Sequence, residues 1–255
     1  MFTDTHAHLT FPEYKDDLPE VIKRAKEAGL GAIVNVALDE DAIQRSIKLA
    51  EKYPDFIFNA IGLHPHDASK WEENCFQKFK DLAKHKSVVA IGETGLDYHY
   101  KHSPVEVQQK VFRRFLKLSR ELDLPVIIHS REASEDTLKI IMEENMGKLK
   151  GVFHCYSGDL DFAKKILDMG FLISFTGIVT FPKANNVRSI VAEIPLDRIM
   201  IETDCPYLAP QEFRGKRNEP AYVVQVAGKI AEVKGISLED VAEATSKNAR
   251  ELFRL

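Results

Sequence analysis

His6-Ala7-His8 sets two imidazoles two residues apart, and in an extended chain such residues project from one face. Held that way they supply half a metal site, with Ala7 leaving them uncrowded. Alone the spacing is weak, because His-Xaa-His also arises by chance. It gains weight from Glu93, His129, His154 and Asp204, each standing where a short apolar run stops. Singly, each has a structural reading: His129 and His154 as hydrogen-bonded core histidines, Glu93 as a helix-cap partner, Asp204 as a cap before the Pro206 turn. Jointly, four imidazoles and two carboxylates gathered at one end of a fold need something to pair them, since unpaired burial of polar groups is costly. A divalent cation is the obvious partner.

Six donors exceed what one tetrahedral ion with an open position requires. Two ions ~3.5–4 Å apart, bridged by a carboxylate, fit the set better. Glu93 is the natural bridge, with His6, His8 and Asp204 toward one ion and His129 and His154 toward the other. The ligand types admit Zn²⁺ or Mn²⁺, and Mg²⁺ where waters complete the shell. Such a pair suits hydrolysis with a metal-bound hydroxide as nucleophile. Asp204 is the expected general base, ahead of Glu202, which lies two residues deeper on the same strand. The net positive centre favours a phosphodiester and also tolerates a polarised carbonyl.

Around this set, His64, Arg131, Asp97 and Arg217 are the substrate-binding candidates, His64 and Arg131 because they can donate hydrogen bonds to phosphate oxygens. His64 could equally be an ordinary loop histidine, and Arg131 could instead pair with Asp97 to orient the site. Arg214, Lys216 and Arg217 follow the last strand. Arg217 is expected along a nucleic-acid backbone, against a rival reading as a solvated loop paired with Glu212 and Glu219. Trp71 and Tyr98 are stacking candidates, although a Trp on a helix more often packs.

These residues meet only if a fold brings the ends of many strands together. Runs of strand character begin near Phe2, Gly31, Phe56, Ser87, Pro125, Lys150, Phe171 and Arg198, each followed by a segment of helical periodicity. The pattern is α/β. Eight β/α units in 255 residues predict a single (β/α)₈ TIM barrel spanning 1–255 as one domain, whose reactive groups belong at the strands' C-terminal ends. Val107, Val111, Phe115 and Leu118 mark one crossover helix, with Pro104 suited to its first turn. Additional C-terminal helices are expected over Asn218–Ala231 and Ser237–Phe253, the second capped by Ser237.

A 44% hydrophobic composition supports a large core, and a net charge of −4 argues against a protein that coats duplex nucleic acid. Cys75, Cys155 and Cys205 form no disulfide framework and suit a reducing compartment, read as buried apolar residues. With no secretion signal and no run of ~18 apolar residues, the expectation is a cytoplasmic protein with no membrane contact and no obligate protein partner.

The chain also carries Asp4-Thr5-His6-Ala7-His8, Gly62-Leu63-His64-Pro65, Gly92-Glu93-Thr94-Gly95-Leu96-Asp97-Tyr98, Pro125 through Arg131, His154-Cys155-Tyr156-Ser157-Gly158, Glu202 through Leu208, and Arg214 through Pro220. Nearly end to end, it resembles the TatD family of metal-dependent deoxyribonucleases within the amidohydrolase superfamily. The resemblance implies hydrolysis of DNA, as single strands or ends, in the 3′-to-5′ direction. The same centre also serves small-molecule amidohydrolases, phosphotriesterases, lactonases and aminoacyl-tRNA deacylases, which stand as the alternatives. Many superfamily members end the fourth strand in a carbamylated lysine, and here Glu93 stands instead. Tyr156 and Cys205 depart from residues common in the family without touching the proposed ligands.

Overall fold

Eight strands form one parallel sheet in sequence order: β1 (Phe2–Ala7), β2 (Leu30–Ala37), β3 (Ile57–Ile61), β4 (Val88–Asp97), β5 (Val126–Arg131), β6 (Gly151–Phe153), β7 (Leu172–Phe175) and β8 (Ile199–Ile201). Each begins within one residue of its expected start. The computed structural model describes all residues but the side chains of 73–75, so the reading of Cys75 lies outside the described residues.

Helices α1 (Leu18–Glu27), α2 (Glu40–Lys52), α3 (Glu73–Leu82), α4 (Val105–Leu122), α5 (Ser134–Asn145), α6 (Leu160–Asp168) and α7 (Asn185–Glu193) fill the crossovers. In α4, Val111, Phe115 and Leu118 are buried as their spacing requires. Pro104 is that helix's cap residue, one place ahead of the first turn.

The barrel closes between β8 and β1 mostly beyond the ends of the regular strands. Ala7 bridges Cys205, the Asp204 N–H donates to the His6 carbonyl at 2.9 Å, and the His8 N–H donates to the Cys205 carbonyl at 2.9 Å. Buried Asp4 adds a side-chain stitch, accepting from the Thr203 N–H at 2.9 Å and the Thr203 hydroxyl at 2.6 Å.

Two further helices follow. The helix expected from Asn218 starts later, as α8 (Val223–Lys234), because the preceding residues have other work. Asn218 donates to the Thr203 and Tyr207 carbonyls at 2.8 and 2.6 Å, and Pro220–Tyr222 form a separate single turn. The last, α9 (Leu238–Phe253), opens with a capping box between Ser237 and Asp240. It lies under the barrel: Asn248 donates to the carbonyl of Ile199 at 2.7 Å, and Ala249 and Phe253 cluster with Val34, Val89, Ile127 and Met200. No helix among the described residues is long and apolar enough to cross a membrane.

Candidate metal centre

Strand parity aims the chemistry. Ile127, Val152 and Met200 share the interior cluster closed by Phe253, whereas Ile128, Phe153 and Ile201 belong to the outer layer beneath the helices. Two residues beyond each interior position lie His129, His154 and Glu202, all on the inward face. His6 and His8 do the same from β1, and both are buried.

Glu93 needs more than parity, because β4 must run unusually close to its neighbours. Gly92 adopts φ +138°, and a Cβ there would lie 2.6 Å from the Ile127 carbonyl oxygen. Gly95 adopts φ +149°, and a Cβ there would lie 1.9 Å from the His129 carbonyl oxygen. Only glycine fits either place, which gives the Gly92-Glu93-Thr94-Gly95 spacing a physical meaning.

The Glu93 carboxylate has two distinct sides. Its Oε2 faces His6 Nε2 at 3.5 Å and His8 Nε2 at 4.0 Å. Those two nitrogens lie 3.2 Å apart, and Asp204 Oδ1 stands 3.7 and 3.5 Å from them. Its Oε1 faces His154 Nε2 at 2.6 Å, His129 Nδ1 at 2.9 Å and His64 Nε2 at 3.5 Å. On the first side the separations sit around the ~3.3 Å edge of a tetrahedron built on metal–nitrogen bonds of about 2.0–2.1 Å. Two neutral imidazole lone pairs at 3.2 Å repel unless a cation or proton lies between them. This donor set therefore fits divalent metal.

Electrostatics agree. Burial works to raise the Glu93 carboxyl, but His154, His64 and His129 overcome it and hold the group well below the usual carboxylate range. Burial works against a charged His154, yet Glu93 and Glu202 lift it well above the ordinary imidazole value. Asp204 is likewise lowered, with His8, His6 and His154 outweighing its burial.

A second ring of partners fixes the imidazoles. His8 Nδ1 faces the Val36 carbonyl at 3.2 Å, which leaves Nε2 for the centre. His154 Nδ1 faces Glu202 at 3.4 Å, and Glu202 also accepts from the Cys155 N–H and the Ser174 hydroxyl, both at 2.6 Å. Glu202 is thus sealed and occupied, while Asp204, with φ +54°, borders a cavity of about 710 Å³ at the barrel mouth.

The outer residues expected from the sequence separate here. His64, Arg131 and Asp97 line the cavity and Arg217 does not. His64 Nδ1 accepts from the His66 N–H at 3.2 Å, so a neutral ring carries its proton on Nε2, facing inward. The alternative pairing of Arg131 with Asp97 is not formed, and the direct substrate role expected for Asp97 needs correction. Asp97 Oδ2 is taken by His129 Nε2 at 3.1 Å and His66 Nε2 at 2.9 Å, and Oδ1 by the N–H groups of His99 and Tyr100. With both oxygens occupied it is a positioning group, and the Arg131 guanidinium lies instead over the Tyr100 ring at 4.8 Å.

Arg217 is corrected too. It binds Asp17 through two hydrogen bonds at 2.8 and 2.6 Å, reaches Glu219 at 3.3 Å and covers the Tyr14 ring, so it fastens the last loop to the first. Glu219 was legible as a partner; Asp17, two hundred residues away, was not. Trp71 packs on Phe76 and Phe115, and Tyr98 donates to Asp136, so neither is the exposed ring. The half-exposed rings on the cavity are Tyr100 and Tyr207. His66 also escaped the sequence reading, although its place two residues after His64 was a signal.

The family model for TatD-related DNases matches residues 3–254. The chain belongs to the TatD family. It is 48% identical over 255 residues to a protein of Bacillus subtilis described as the uncharacterized metal-dependent hydrolase YabD, covering all of both chains. It is 34% identical over 258 residues to the 3′-5′ ssDNA/RNA exonuclease TatD of Pectobacterium parmentieri, covering 99% of each. The crystal structure of YJJV, a TatD homologue from Escherichia coli K12, superposes with a TM-score of 0.93 at 31% identity, over 100% of this chain and 98% of that one. An organophosphorus hydrolase from Deinococcus radiodurans, at 15% identity and a TM-score of 0.66, shares the fold. As a TatD-family barrel the chain is a metal-dependent hydrolase. Among the described residues no lysine lines its cavity.

Proposed function

We propose that this TatD-family hydrolase is a two-metal deoxyribonuclease that trims single-stranded DNA from the 3′ end. The observation that carries the reading is the division of Glu93, one oxygen toward His6 and His8 and the other toward His129 and His154. Asp204 completes the first set. The imidazole-rich donors favour Zn²⁺ or Mn²⁺ over Mg²⁺. When bound, such a pair supplies acidified water near neutral pH and positive charge beside phosphoryl oxygens.

The chain's own residues supply the rest. Asp204, open to the cavity, accepts the proton of the attacking water, a role closed to sealed Glu202. His64 donates from Nε2 to a phosphate oxygen, and Arg131 adds a fixed positive charge on the same wall. Tyr207, half-exposed at the rim, offers a ring face to an unstacked base. A recessed centre in a protein of net charge −4 suits the end of one strand better than a duplex. The relatives named single-strand exonucleases support the same direction of reading. Free Cys155 and Cys205 favour a reducing cytoplasm.

The test is a 5′-labelled single strand incubated with Zn²⁺-, Mn²⁺- or Mg²⁺-loaded protein. Stepwise shortening with the label retained is expected, abolished by EDTA and by Glu93→Ala or Asp204→Asn. Intact substrate under every metal overturns the reading.

A further inference from the structure

Beside the catalytic mouth, the loop after β1 and the exposed face of α2 enclose a second groove of about 740 Å³. Arg45, Lys48 and Lys52 recur at spacings of three and four and form one stripe on α2. Lys15 faces them from the opposite bank, and the floor between is apolar, with Leu18 and Leu49. Among the described residues none of these four cations has an ion-pair partner, although Asp41 and Glu51 lie on the same helix and Glu13 and Asp16 flank Lys15. Elsewhere many lysines are paired, as in Lys80–Glu121, Lys84–Asp81 and Lys229–Glu232. A cluster of unpaired cations in an acidic protein has a cost in mutual repulsion that an anionic ligand would remove.

The groove is joined to the metal centre through one residue. Phe11 lines both cavities and stacks on His8 at 4.5 Å between ring centroids. A chain whose terminal phosphodiester lies against His8 and Glu93 passes over Phe11 to reach the stripe. From Arg45 to Lys52 the helix rises ~10 Å, room for a short run of backbone phosphates.

We propose that this groove is the track for the single-stranded nucleic acid upstream of the bond being cut. Phosphates lie between Lys15 and the α2 stripe, and a base rests on Phe11. The proposal rests on the nuclease reading of the centre and adds to it the route of the strand and the residues that retain it. It makes retention depend on strand length and on salt, through side chains that take no part in hydrolysis.

The experiment compares the metal-loaded full chain with its Arg45→Gln, Lys48→Gln, Lys52→Gln triple variant. Fluorescence anisotropy reads binding of labelled, cleavage-resistant phosphorothioate oligothymidylates of three and twelve nucleotides across a salt series. Wild type is expected to bind the twelve-mer more tightly than the three-mer. The variant is expected to lose most of that gain, at least about tenfold, with the slope of log affinity against log salt shallower by ~2 for three lost cations. Thermal midpoint and hydrolysis of a short phosphodiester substrate should stay unchanged. Equal twelve-mer affinity and salt slope in the two proteins overturn the proposal. So does polyglutamate binding as tightly as the twelve-mer and lost in the same variant, which assigns the groove to an acidic protein partner. If wild type hydrolyses no phosphodiester with any metal, the nuclease reading fails by itself, and the binding comparison still decides the groove.

Discussion

Asp97 takes the Nε2 side of His129 at 3.1 Å, and this turns the ring's Nδ1 to within 2.9 Å of Glu93. The tautomer of a central donor is thereby set by a carboxylate outside the set of metal-facing groups. Asp97→Ala should weaken one metal position about 10–100-fold while the position facing His6 and His8 keeps its affinity. Metal content after dialysis against graded chelator reads both. Equal weakening of the two would remove Asp97 from this role.

Glu93 and His154 should behave differently although they touch. Glu93→Gln keeps the shape but removes the charge shared by both sides, so the protein should retain almost no metal. His154→Ala should lose one ion and keep the other. Metal-to-protein ratios by mass spectrometry decide, and loss of a single ion in Glu93→Gln would contradict the bridge.

Stripping the metal should cost stability, because the buried donors are then left facing one another. At a metal concentration a hundred times its dissociation constant, a site specific to the folded state contributes about 2.7 kcal/mol. At about 2–4 °C per kcal/mol, EDTA should lower the thermal midpoint by roughly 5–10 °C. Calorimetry with and without chelator measures it, and an unchanged midpoint would mean that the donors hold no metal.

Arg217 carries a pH-dependent prediction. Its hydrogen bonds, ahead of its charge, hold the Asp17 carboxyl below the ordinary range. A carboxyl lower in the folded than the unfolded chain stabilises fully above the unfolded value near ~3.9, and that contribution fades as pH falls through the folded value. Asp17 is partly exposed, so solvent screening keeps the pair to about 1 kcal/mol. Arg217→Gln should lower the midpoint by about 2–4 °C at pH 7 and by clearly less near pH 2, with DNA affinity unchanged. Weakened DNA binding at an unaltered midpoint would restore Arg217 to the substrate path.

What the sequence disclosed follows physical range. The barrel was legible because each β/α unit writes its own periodicity over a few dozen residues, and the donors were legible because each ends an apolar run. Parity alone placed Glu202 beneath Asp204. Harder to read were partnerships made by three-dimensional closure, such as Asp17 with Arg217 and Asp97 with both His129 and His66. Composition named Trp71 and Tyr98 as rings without saying which face solvent. Exposure is set by the neighbours that cover a ring, and Phe115 and Asp136 arrive from other helices.

The seam between β8 and β1 bears on how the molecule is made. His6 and His8 precede every other donor in the sequence, while Asp204, which faces them across that seam, follows all the others. A nascent polypeptide that has finished seven strands already holds His129, His154 and Glu93 but not the donor that completes this seam. Hydrolytic competence should therefore switch on only once the segment after β8 has been made, and products released before it would be inert.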